Sequence, residues 1–114
     1  MTPRDRDALA DILNAIERAR GFPIPDQATL LKTDYLQDAL IRCLEVIGEA
    51  SKRLSNALRE QHPQVPWRAM AGMRDLLIHA YDTVDIEEVW EAYQLFPALS
   101  KKINKILEKD PLNP

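Results

Sequence analysis

The sequence predicts an all-α fold, specifically an antiparallel bundle of four to five helices in a single domain of residues 1–114. Apolar residues recur at the three- and four-residue spacing of a helix face, and no segment alternates in the manner of a strand. Capping residues and prolines mark where the helical segments begin and end. The stripe that organises the chain comprises Met70, Met73, Leu77, Ala80 and Val84.

The first two helices carry clear start signals. Thr2 is a good N-cap residue, Pro3 suits the first helical position, and Asp5 follows three residues after the cap. Gly21 is expected to end this helix. Asp26 then caps a short helical turn.

A long third helix is predicted from Thr33 or Asp34 to about Ser55, with Tyr35 among its inward-facing residues. The residues after Ser55 either continue this helix or form a short separate one. Gly48 lies in the middle of the long helix, where it costs roughly 1 kcal/mol relative to Ala. Its position therefore predicts close packing against another helix.

The second half of the chain contains three further boundary signals. Pro66 opens the helix that carries the Met70 stripe. Asp85 and Glu88 have the spacing of a capping box, so the next helix begins there. Pro97 is expected to kink or break that last helical stretch.

Composition limits the class of protein. The 114 residues are 46% apolar, as expected of a globular domain, and no apolar run approaches the roughly 20 residues that a membrane span requires. The net charge of −3 argues against a broad basic surface for nucleic acid, although a small phosphate site is compatible with it. One cysteine, Cys43, excludes an internal disulfide and suits the reducing cytoplasm, where we expect it to be a small core residue. A zinc site is not expected from one cysteine and two histidines.

Arg74 and His79 form a minimal set of groups for cleaving a phosphodiester without a metal. A histidine near its ordinary pKa of about 6.5 exchanges protons at neutral pH. An arginine is always charged and offers two parallel donors to phosphate oxygens. Asp75 lies one turn before His79 and is placed to orient the imidazole ring. This spacing predicts Arg74 as a phosphate clamp and His79 as a general acid or base.

The geometry of one straight helix does not bring these two side chains together. His79 is rotated by about 140° from Arg74 around the axis, whereas Tyr81 lies two turns beyond Arg74 and nearly in line with it. Either the helix distorts near Ala80, or a second surface completes the site.

The motif Arg74-x4-His79-x-Tyr81 resembles the R-x4-H-x-Y signature of HEPN domains, in particular the HepT-like toxin ribonucleases. The resemblance extends to residues 35–55, which include Ile47-Gly48-Glu49-Ala50, and to residues 65–90 with Pro66-Trp67, Val84-Asp85 and Val89-Trp90. It covers most of the chain, and the first 25 residues are the least distinctive part.

This resemblance implies an HEPN-like helical bundle that acts as a metal-independent endoribonuclease toxin, with Arg74 and His79 as catalytic residues and no cofactor. It further implies a homodimer whose motif helices face each other across a cleft. The expected partners are RNA and an MntA-like nucleotidyltransferase antitoxin, which silences the toxin by transferring AMP to Tyr81. Asp75 occupies a position where Asn is familiar in the family.

Two alternatives remain open from the sequence. Arg74 and His79 are also compatible with a buried hydrogen-bonding pair that locks helices together. The alternative function is a non-catalytic dimerising HEPN scaffold that binds a nucleotidyltransferase or a nucleotide. Glu49, which follows the mid-helix glycine, is either an ordinary surface carboxylate or the partner of an arginine such as Arg74.

Overall fold

The computed structural model describes residues 1–79 and 85–110, with the side chains of residues 73 and 75–79 left out. These ranges contain helices and no strand, which confirms the all-α fold. The helices are α1 (Pro3–Arg20), α2 (Gln27–Lys32), α3 (Asp34–Lys52), α4 (Asn56–Gln61), α5 (Trp67–His79), α6 (Ile86–Gln94) and α7 (Phe96–Glu108). Within the described ranges, every helix is too short or too polar to traverse a bilayer.

The bundle is built around α3, which packs against α1, α2, α5 and α6, while α7 packs against α1 and α6. Polar contacts show that α1 runs antiparallel to both of its neighbours. Near one end of α1, Arg6 pairs with Asp110 at 2.6 Å. Near the other end, the Ser100 hydroxyl donates to Glu17 at 2.6 Å. The start of α1 likewise meets the end of α3, since Asp5 contacts Ser55.

Short side chains cap the helices as the sequence predicts. Thr2 forms a reciprocal capping box with Asp5 at the start of α1. The Asp26 carboxylate accepts from the Thr29 amide at 2.8 Å. Asp85 caps α6 by accepting from the Glu87 amide at 2.9 Å. The predicted capping box is incomplete, because the Glu88 carboxylate does not accept from the Asp85 amide in the described part of the chain. The break between α6 and α7 falls at Leu95, with Pro97 in the first turn of α7, as expected of a proline.

Two expectations for the long helix were wrong. It ends at Lys52 rather than near Ser55, because Ser55 is instead the N-cap of the separate helix α4, where its hydroxyl accepts from the Leu58 amide at 3.2 Å. Tyr35 is not buried but 67% exposed. The buried stripe of α3 begins at Leu36, and Tyr35 is rotated from Leu36 by about 100° around the axis.

A buried carboxylate joins two chain segments at one end of the bundle. The Asp5 side chain is 2% exposed and accepts from the amide and the hydroxyl of Ser55, both at 2.8 Å, and from the Thr2 amide at 3.4 Å. Burial raises the pKa of the Asp5 carboxyl, but the hydrogen bonds from Ser55 and Thr2 outweigh it, so that the pKa lies below its ordinary value of 3.8. The charged form of Asp5 therefore stabilises the fold.

We expect Asp5→Asn to lower the free energy of unfolding by about 1–3 kcal/mol at neutral pH. The amide nitrogen of asparagine would place a donor where an oxygen of Asp5 now accepts a hydrogen bond from Ser55. Urea denaturation measures this change, with the exposed Asp7→Asn on the same helix as the control.

Because the folded pKa of Asp5 is depressed, the stabilisation that its charge provides is complete above pH 3.8 and is lost as the pH falls through the lower folded pKa. The difference between Asp5→Asn and the wild type should therefore shrink in acid. A difference that does not change with pH would contradict the role of the charge.

Candidate active site

Helix α5 carries the motif, and its first turn is firmly anchored. Pro66 precedes the helix, and its carbonyl accepts from the Met70 amide at 3.0 Å. Trp67 is 5% exposed and donates through its indole nitrogen to the His62 carbonyl at 2.9 Å. Met70 is also buried, one turn later. The start of α5 is thus held by the core and by the preceding loop, which places Arg74 one turn beyond Met70.

At Arg74, the backbones of α3 and α5 come into close contact. A Cβ atom added to Gly48 would overlap the Cβ atom of Arg74, and it would lie 3.1 Å from both the Cα and the amide nitrogen of Arg74. A glycine is therefore required at position 48 for this helix packing, which confirms the explanation predicted for a mid-helix glycine. The position of Arg74 therefore depends on the absence of a side chain at Gly48 on α3.

The residue after this glycine forms an ion pair with the motif arginine. The Nε atom of Arg74 lies 3.4 Å from Oε1 of Glu49. The Arg74 side chain is 31% exposed and that of Glu49 is 48% exposed, so the pair lies at the surface between α3 and α5. Of the two interpretations left open for Glu49, the structure supports that of an arginine partner.

The remaining motif residues are only partly described. His79 is the last residue of α5, and five residues of helix place its Cα atom about 7.5 Å beyond Arg74 along the axis. The side chains of Asp75 and His79 lie outside the described part of the structure, as does all of Tyr81. The proposed distortion near Ala80 also falls outside it. The described geometry therefore concerns Arg74 and its supports on α3.

Cys43 is not a candidate nucleophile. It is 4% exposed on the buried face of α3. Burial raises the pKa of its thiol and outweighs the positive charges of Arg18 and Arg42, which lower it. A thiol with a raised pKa and little access to solvent is unreactive at neutral pH. This agrees with the core role expected from the sequence.

An all-α bundle that carries R-x4-H on a helix packed against its central helix fits the HEPN class of domain that the sequence resembles. The family model described as "Ribonuclease HepT-like" matches residues 12–106. The chain belongs to this HepT-like ribonuclease family.

Curated relatives agree with the family match over nearly the whole chain. A protein of Thermococcus cleftensis named "Probable ribonuclease HepT" is 42% identical over 107 residues, covering 89% of this chain and 94% of its own length. A candidate RNase of Methanocaldococcus jannaschii is 47% identical over 112 residues, or 95% and 92% of the two chains. Another, from Caldanaerobacter subterraneus, is 43% identical over 96 residues, or 83% of each chain. No solved structure matches this chain.

Proposed function

We propose that this protein is a metal-independent endoribonuclease in which Arg74 and His79 are the catalytic residues. The ribose 2′-hydroxyl attacks the adjacent phosphorus and loses its proton, negative charge develops on the phosphate, and the 5′-oxygen leaves with a proton. His79 moves a proton as general base or acid, and Arg74 holds the phosphate oxygens as charge develops. Asp75 orients the imidazole ring of His79.

The observation that carries this proposal is the family match, which spans the whole Arg74–His79 motif. The surroundings of Arg74 support it, because the guanidinium lies partly exposed at the surface between two helices rather than in the core. RNA cleavage by the purified protein, measured with and without EDTA, tests it. We expect cleavage that EDTA does not reduce, and an intact RNA in both reactions would contradict the proposal.

We further propose that the active form is a homodimer. On a straight helix, Arg74 and His79 point about 140° apart, so that one copy of α5 cannot direct both at the same phosphate. A second copy of the motif helix across a cleft would place the arginine of one protomer near the histidine of the other. Light scattering at micromolar concentration should give twice the mass of the 13.1 kDa chain. A monomeric mass would contradict the composite site.

The biological role that we propose is that of a cytoplasmic toxin paired with an MntA-like nucleotidyltransferase antitoxin. Transfer of AMP to Tyr81 would place an anionic phosphate in line with Arg74, where it competes with the phosphate of the substrate. Tyr81 supports this proposal by its place in the motif, two residues after His79. Growth after induction of the chain alone, compared with His79→Ala, tests toxicity. Equal growth of the two strains would argue against a toxin.

We expect Tyr81→Phe to retain RNA cleavage and to escape silencing by the antitoxin, because phenylalanine lacks the hydroxyl that accepts AMP. Intact-mass spectrometry after co-expression should show added AMP on the wild type and none on the variant. Tyr93→Phe is the matched control, since this half-buried tyrosine lies on α6, outside the motif. An AMP adduct that persists on Tyr81→Phe would refute the assignment.

The second candidate function is a non-catalytic dimerising scaffold that binds a nucleotidyltransferase or a nucleotide. One observation favours it: Arg74 pairs with Glu49 across two helices, as an arginine that joins helices would. A scaffold would bind its partner equally well with alanine at position 79 and would leave RNA intact. Co-purification of the partner together with an RNA cleavage assay separates the two functions.

A further inference from the structure

We propose that Glu49 is the positioning residue of the motif arginine: its carboxylate holds the guanidinium of Arg74 from the Nε side and thereby sets the orientation in which Arg74 meets a substrate phosphate. The inference rests on the ribonuclease function proposed above. It adds to the site a residue from α3, outside the motif helix.

The position of Glu49 on α3 follows from the packing of the two helices. Gly48 brings the backbone of α3 against the backbone of Arg74, and Glu49 is the next residue along α3. The Glu49 side chain therefore leaves α3 close to the backbone of Arg74, and its Oε1 atom lies 3.4 Å from the Nε atom of Arg74. The contact joins residues 25 positions apart in the sequence, so it depends on the close approach at Gly48.

The chemistry of arginine explains why this contact matters for orientation. The guanidinium is planar, and its donors form a rigid fork, so that fixing Nε restricts the plane of the whole group. Recognition of phosphate by two parallel donors depends on that plane. A misplacement of a binding group by about 1 Å costs on the order of a hundredfold in rate.

The charge of Glu49 distinguishes a positioning role from a binding role. A carboxylate beside the phosphate site repels the RNA backbone. Removing it should leave RNA binding unchanged or make it tighter, while the loss of orientation lowers the rate of cleavage. This separation of kcat from binding affinity is not expected of a residue that acts only through stability.

The test compares Glu49→Ala and Glu49→Gln with the wild type in single-turnover cleavage and in binding of an uncleavable RNA with 2′-O-methyl groups. We expect Glu49→Ala to lower kcat by about 10- to 100-fold without weakening the Kd for this RNA. Glu49→Gln should retain more activity, since its amide oxygen still accepts from Nε. The matched control is Glu45→Gln, one turn earlier on α3, which changes the same charge at a carboxylate that pairs with Arg42 of its own helix at 3.4 Å.

A Glu49→Ala variant that cleaves like the wild type would overturn the positioning role. So would a fall in kcat accompanied by a matching loss of thermal stability, which would identify Glu49 as structural. If the wild-type protein cleaves no RNA, the proposed function fails, and the role of Glu49 in orienting Arg74 towards a substrate phosphate fails with it. The NMR signal of the Arg74 Nε–H group, assigned with Arg74→Lys, then tests the pair separately. A signal that Glu49→Ala leaves unchanged would overturn the pairing itself.

Discussion

Replacing either Arg74 or His79 by alanine is expected to lower the rate of RNA cleavage by at least about a hundredfold. Removal of a positioned donor to a developing negative charge costs about 10²–10³ in rate. Loss of a general acid or base costs about 10²–10⁴. Single-turnover cleavage of a labelled RNA measures both effects. Arg68→Ala is the matched control, because it removes an exposed arginine from the same helix without touching the motif.

Arg74→Ala should have little effect on folding. The Arg74 side chain is about one-third exposed, and exposed ion pairs contribute about 0–1 kcal/mol to stability. We therefore expect the melting temperature of this variant to stay close to that of the wild type. A large fall in melting temperature for both Arg74→Ala and His79→Ala would instead identify a structural pair and favour the scaffold.

Gly48→Ala is expected to destabilise the protein by about 1–3 kcal/mol, although alanine is the better helix former. The added Cβ overlaps the Cβ of Arg74, and the atoms behind it are the backbone of α5, which can move only as a helix. Gly72→Ala is the matched control within α5. Among the residues that the structure describes, an added Cβ at Gly72 meets nothing within 4 Å, so this change should stabilise the protein by about 0.5–1 kcal/mol. Urea denaturation of the two variants compares them directly.

The same Gly48 variant should also cleave RNA more slowly under conditions where it is folded. Moving α5 away from α3 displaces Arg74, and a shift of about 1 Å in a binding group costs on the order of a hundredfold in rate. A Gly48→Ala variant as stable and as active as the wild type would show that the two backbones do not touch at this point.

Local signals explain how much of this fold could be predicted. The starts of α1, α2 and α6 depend on side chains that bond to amides two or three residues away, so Thr2, Asp26 and Asp85 were recognisable from the sequence. The end of α3 was predicted near Ser55, although Ser55 caps α4 through the Leu58 amide, because nothing local decides whether a serine continues one helix or begins the next. In the fold, Ser55 also bonds to Asp5, which is 50 residues distant in the sequence.

By itself, the sequence determined the helical class, most of the helix boundaries and the Arg74-x4-His79-x-Tyr81 motif, because each depends on residues that are a few positions apart in the sequence. It also predicted that Gly48 packs closely against another helix. The tertiary structure alone decided which helix that is, that Glu49 pairs with Arg74, and that Tyr35 faces solvent. These properties depend on how α3 and α5 approach each other in space, and the spacing of residues along one helix carries no information about its neighbour.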